Sequence, residues 1–165
     1  MRLALPIAAL AVAFATAAAA HEFKAGDLTV GHPYAIETPA TAKSAAGYFS
    51  VTNAGSAPDR LVAVEAEIPA ELHATETDAA GVTRMTAVGA LEVPPGETVT
   101  LAPRGLHVMF TGLTAPWKAG DHVPVTLVFE TAGAIPVVFN VEPRKGAKDG
   151  MKDMEGMDHG TMKHN

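Results

Sequence analysis

The stretch from Glu71 to Val88 reads ELHATET, then DAAG, then VTRMTAV. Two runs that alternate between apolar and polar residues, rich in threonine and valine, flank four residues of turn chemistry. A period of two with β-branched residues is the pattern of half-buried strands. Gly81 supplies the positive φ that a short hairpin turn demands. With the turn centred near Ala79, His73 falls directly opposite Met85, a pairing that brings Cβ atoms to about 4.5–5.5 Å on one face. A slip of one residue would put the two on opposite faces.

Working outward, the same pattern recurs in GYFSVTN (47–53), RLVAVEAEI (60–68), ETVTLAP (97–103), LHVMFTGL (106–113), HVPVTLVFE (122–130) and IPVVFNVE (135–142). TNAGSAPD, VPPGE, LTAPWKAGD and TAGA stand between them as turns. Short strands at this spacing predict an all-β fold, an antiparallel sandwich or barrel. The pattern offers no convincing helix and no internal repeat.

The ends read differently. Residues 1–20 carry one positive charge at Arg2, an apolar run from Leu3 and a small-residue close at Ala18–Ala20, the anatomy of a secretory signal peptide. Cleavage after Ala20 makes His21 the mature N-terminus, and the expected compartment is the periplasm. There are no cysteines, which excludes a lipid anchor on cysteine, a disulfide framework and thiolate chemistry. The net charge of −6 comes with no basic patch, so nucleic acid is excluded as a partner. No later segment is long enough to span a bilayer. Residues 21–145 form the expected domain. Residues 146–165 lack aromatic residues and hold one β-branched residue, Thr161, so a disordered Met/His-rich tail is expected.

The chemistry is concentrated in RGLHVMF (104–110). On a strand His107 and Met109 share a face, with Val108 turned away. Apart from Met1, the only methionines before the tail are Met85 and Met109, and each is tied by register or spacing to a histidine. Two imidazoles and two thioethers form a donor set without hard oxygen, which selects Cu(I) over zinc or hard cations. Thioethers need no deprotonation, so an ion can load without the proton release that thiolates impose. Without cysteine a blue-copper electron-transfer centre is excluded. Spacing alone leaves a second reading open, in which the methionines fill gaps in a core and the histidines are ordinary surface or satisfied residues.

The spacing His73, Ala74, ten residues, Met85, twenty-one residues, His107-Val108-Met109 resembles the H(M)-x10-M-x21-H-x-M signature of the periplasmic copper chaperone family PCu(A)C. GDLTVGHPYAIETP, LEVPPGETVTLAPRGLHVMF and GDHVPVTLVFETAG agree with it, over roughly Phe23 to Glu142. Ala74 departs from relatives that carry a second methionine there. The resemblance implies a cupredoxin-like Greek-key β-sandwich or barrel, and Cu(I) held by His73, Met85, His107 and Met109. It also implies delivery to the CuA subunit of a haem-copper oxidase in company with an Sco-type protein, and no enzymatic activity.

Other donors are secondary. The α-amine and imidazole of His21 are a candidate Cu(II) chelate, as in copper monooxygenases. Met151, Met154, Met157, His159, Met162 and His164 are candidate accessory copper ligands on a tether. His32, before Pro33, reads as scaffold, His122 as a surface residue and Trp117 as a loop anchor. The rival functions are a copper buffer with no specific recipient, a copper oxidoreductase using His21, and a plain secreted β-sandwich adhesion module.

Overall fold

The computed structural model describes residues 22–144. The proposed signal peptide, His21 and the Met/His-rich tail, including the candidate ligands Met151, Met154, Met157, His159, Met162 and His164, lie outside the described residues. Among the described residues there are eleven strands and no helix: β1 (Glu22–Ala25), β2 (Leu28–Ile36), β3 (Ser44–Asn53), β4 (Asp59–Ala66), β5 (Ala70–Thr77), β6 (Thr83–Ala87), β7 (Leu91–Val93), β8 (Thr98–Thr100), β9 (Leu106–Thr111), β10 (His122–Phe129) and β11 (Gly133–Glu142). The all-β expectation is borne out. No helix among the described residues is long and apolar enough to cross a membrane.

The strands form one hydrogen-bonded path in the order β6-β5-β9-β3-β2-β11-β10-β4-β7, with β1 on β2 and β8 on β3. Every pairing is antiparallel except β2 with β11, which brings the two ends of the domain side by side. Alternation sets the two faces. In β11 the residues Ile135, Val137, Phe139 and Val141 are buried, and those between them are not. The buried sides meet because the sheet curls. β9 and β11 are three strand intervals apart on the path, about 14 Å in a flat sheet. Yet the rings of Phe110 and Phe139 lie 5.8 Å apart, edge to face. β4 and β5, six intervals apart, likewise face each other across a hollow lined by Val62, Val64, Ala70 and Leu72. Phe49, Phe110, Phe129 and Phe139 fill the interior.

Two local devices place the outer face near β9. At Gly47 a Cβ would lie 2.6 Å from Phe139 and 2.8 Å from Phe110, so only glycine lets β3 press this close to the core rings. In β2 the register shifts between Gly31 and Tyr34, with His32 at φ 47°. This is a β-bulge, which re-aims the following side chains. It sets Tyr34 directly across from Tyr48.

A third device anchors the far end of the sheet. The Asp59 carboxylate, 6% exposed, accepts hydrogen bonds from the backbone N–H groups of Arg60, Thr131 and Ala132. Burial pushes its pKa up, but the N–H groups of Thr131, Arg60 and Ala132 outweigh burial and hold the carboxyl below its ordinary value.

Candidate metal centre

His73 on β5 and His107 on β9 are direct cross-strand partners, with ring centroids 6.0 Å apart and planes tilted by 43°. Met109, two residues beyond His107, pairs with Glu71 on one side and Ala46 on the other. All these side chains share the outer face of the curled sheet. Met85 pairs with Thr75, and His73 pairs with Ala87.

The hairpin register therefore corrects the expected direct pairing of His73 with Met85. The reason lies in Asp78. Its Oδ1 accepts the N–H groups of Ala80 and Val82, and Gly81, at φ 80°, donates its N–H to the Asp78 carbonyl. This Asp-capped loop centres on Ala80 instead of Ala79. The pairing moves by two residues, which preserves the face and leaves His73 and Met85 as diagonal neighbours, about 7–8 Å between Cα atoms.

Burial grades the four candidate donors. His107 is 4% exposed, the His73 side chain 21% and Met109 is half-buried. Met85 is 59% exposed. Met85, His107 and Met109 line one shallow hollow with Thr75, Tyr48 and Arg104. The His107 Nδ1 lies 3.0 Å from the Gly105 carbonyl. A carbonyl only accepts, so in the neutral ring Nδ1 carries the proton and Nε2 keeps a lone pair. At His73 the Nδ1 is buried and has no hydrogen-bond partner, while Nε2 lies 3.5 Å from the Glu71 carboxylate.

Among the described residues no three His, Asp or Glu side chains converge as a metal-binding group, and the chain has no cysteine. Beside the facing imidazoles, the soft donors available among the described residues are thioethers. Met85 and Met109 are the methionines present among the described residues. The donors fit a soft, monovalent metal and fit hard cations poorly.

Arg104 and the tyrosines were not singled out by the sequence reading. Arg104 sits at φ 69° in the turn closed by the Gly105 N–H on the Ala102 carbonyl. Pro103 at the second turn position makes that turn readable, but the positive φ would have been assigned to Gly105. Tyr48 lies 6.5 Å from His107 and 5.2 Å from Tyr34 between ring centroids, and Tyr34 lies 4.9 Å from His32. Burial and then the neighbouring Tyr34 raise the Tyr48 pKa, while burial and then Glu142 raise that of Tyr34. The remaining candidates sit elsewhere. His32 pairs with Glu142 at 3.1 Å, His122 bonds Asn140 at 2.8 Å, and Trp117 packs on Phe110 at 5.1 Å.

Residues 28–141 match a family model described as putative lipoprotein LpqE-like. A putative lipoprotein of Leifsonia xyli subsp. xyli is 34% identical over 109 residues, which span 65% of this chain and 66% of that protein. Among solved structures, the apo PCuAC domain from PmoF1 superposes with a TM-score of 0.66 at 30% identity, covering 75% of this chain and all of that domain (100%). The copper-bound PCuAC domain from PmoF2 gives 0.64 at 29%, covering 75% and 99%. The Cu(I) form of DR1885 from Deinococcus radiodurans gives 0.55 at 27%, covering 76% and 83%. The chain thus belongs to the LpqE-like family, the family of the PCuAC copper chaperone domains.

Proposed function

We propose that this protein is a periplasmic copper carrier that takes Cu(I) as cargo on His73, Met85, His107 and Met109. The observation that carries the reading is the facing imidazole pair, which offers unshared lone pairs beside the domain's methionines. The copper-bound PCuAC domains support it. Because the neutral His107 ring keeps its proton on Nδ1, donated to the Gly105 carbonyl, and thioethers carry none, the ion loads with little proton release.

The mouth of the hollow is open, and Met85 stands exposed at its rim. A recipient's donors would approach from that side and replace the exposed thioether first, the buried His107 last. Transfer then proceeds by stepwise ligand exchange, with no free ion in water and no chemical turnover. The recipient we propose is the CuA subunit of a haem-copper oxidase, with an Sco-type protein taking part. The accessory role we propose for Met151, Met154, Met157, His159, Met162 and His164 is copper collection, through the effective concentration that a covalent tether gives.

The test is Cu(I) stoichiometry and affinity of the chain ending at residue 144, with Met85 and Met109 both replaced by leucine. Loss of tight Cu(I) binding is expected, and retained affinity refutes the site. Transfer to an apo-CuA domain, faster than chelator-limited release, separates a carrier from a buffer.

A further inference from the structure

We infer that Glu71 is a positioning residue, whose carboxylate keeps the proton of His73 on Nε2 so that the imidazole presents its Nδ1 lone pair to the ion. This rests on the proposed role of His73 as a ligand. The His73 proton has two nitrogens available. On Nδ1 it would form an N–H that is buried and faces no acceptor, which is among the costlier arrangements in a protein interior. On Nε2 it faces Glu71 Oε2 at 3.5 Å. In the neutral ring the nearby carboxylate favours the second arrangement, which leaves Nδ1 as a buried lone pair without a partner.

The opposite choice is made one strand away. The Gly105 carbonyl holds the proton of His107 on Nδ1 and frees Nε2. The two facing rings therefore present different nitrogens, each selected by its own anchor on the opposite edge of the imidazole. Strand periodicity makes this possible. Glu71 and His73 are two apart on β5, hence on one face, and Glu71 lies across from Met109. The carboxylate stays out of the soft donor set, yet acts through the ring to make the His73 lone pair more basic, as acids behind metal-bound histidines do. Glu71 itself is largely exposed, at 72% of its side chain, so replacing it leaves the core untouched.

The test uses the metal-free, 15N-labelled full-length protein and long-range 1H–15N correlation of the imidazole rings. The wild type should show His73 with a pyrrole-like Nε2 and a pyridine-like Nδ1. Glu71→Ala should mix the tautomers, and Glu71→Gln, which keeps an acceptor oxygen at similar reach, should restore the wild-type pattern. Cu(I) affinity from chelator competition should fall about 10–100-fold in Glu71→Ala and recover most of that in Glu71→Gln. A wild-type Nδ1–H tautomer overturns the inference, as does a Glu71→Ala spectrum identical to wild type. So does unchanged Cu(I) affinity in Glu71→Ala when His73→Ala loses copper. If His73→Ala binds Cu(I) as the wild type does, the ligand assignment fails instead, and the tautomer spectra still decide what Glu71 does.

Discussion

Replacing each methionine by leucine separates the thioether's chemistry from its packing. Leucine conserves volume closely, and such swaps cost less than about 1.5 kcal/mol even in cores. Met85 is 59% exposed and Met109 only half-buried, so both variants should unfold within a few degrees of the wild type. Their effects on copper should differ. Met109 already sits between Ala46 and Glu71 on the interior strand β9, and much of its rotamer freedom is spent before the ion arrives. Met85 stands on the edge strand β6 and must be ordered on binding. Immobilising a methionine side chain costs up to about 1.5–2 kcal/mol, and about 1.4 kcal/mol is a factor of ten in affinity. Met109→Leu should therefore weaken Cu(I) binding roughly tenfold more than Met85→Leu. Chelator competition under anaerobic conditions measures both, with thermal unfolding of the apo proteins as the control. A larger loss for Met85→Leu, or equal losses, would refute the argument that preorganisation grades the two sulfurs.

Three further outcomes follow from the fold. Gly47→Ala drives a Cβ into Phe139 and Phe110 at 2.6 and 2.8 Å, overpacking that typically costs about 1–3 kcal/mol; a fall in Tm of several degrees should appear by calorimetry, and an unchanged Tm would contradict the close approach. Asp59 has a lowered folded pKa, so its stabilisation is full above its ordinary value of 3.8 and is lost as pH falls below that value through the folded pKa. Asp59→Asn should lose about 1.5–3 kcal/mol at pH 7, the range for hydrogen bonds to a charged group, and show a flatter acid limb in denaturant titrations from pH 5 to about 2. Arg104→Gly relieves a left-handed backbone at φ 69°, offset by the extra entropy of glycine when unfolded; Tm should hold or rise by a few degrees, and a marked fall would show that the arginine side chain anchors the turn.

Much of this arrangement was legible from residue types. Period-two runs marked nearly every long strand, and the His107-Val108-Met109 triplet put two donors on one face without any tertiary knowledge. What could not be read was set by local choices invisible to periodicity. Asp78 captures two backbone N–H groups and moves the hairpin by two residues, a decision of one side chain. The bulge at His32 puts a non-glycine residue in a left-handed conformation and aligns Tyr34 with Tyr48. The pairing of β2 with β11 is parallel and joins distant segments, so no turn advertises it. Glu71 looks like any solvated strand acid until the β5–β9 register places it across from Met109. Cross-strand identity of His73 and His107 likewise needed the pairing of β5 with β9, separated in sequence by the whole β6–β8 segment.

In the proposed site two imidazoles and two thioethers hold the ion on the outer face of β5, β6 and β9. Copper K-edge absorption on the Cu(I)-loaded chain ending at residue 144 tests it most directly, because scattering by sulfur and nitrogen is distinguishable. The expected result is one Cu(I) per chain with a first shell of about two nitrogens and two sulfurs, and sulfur scattering that is lost when Met85 and Met109 both become leucine. A shell of nitrogen and oxygen alone in the unmodified domain would contradict it.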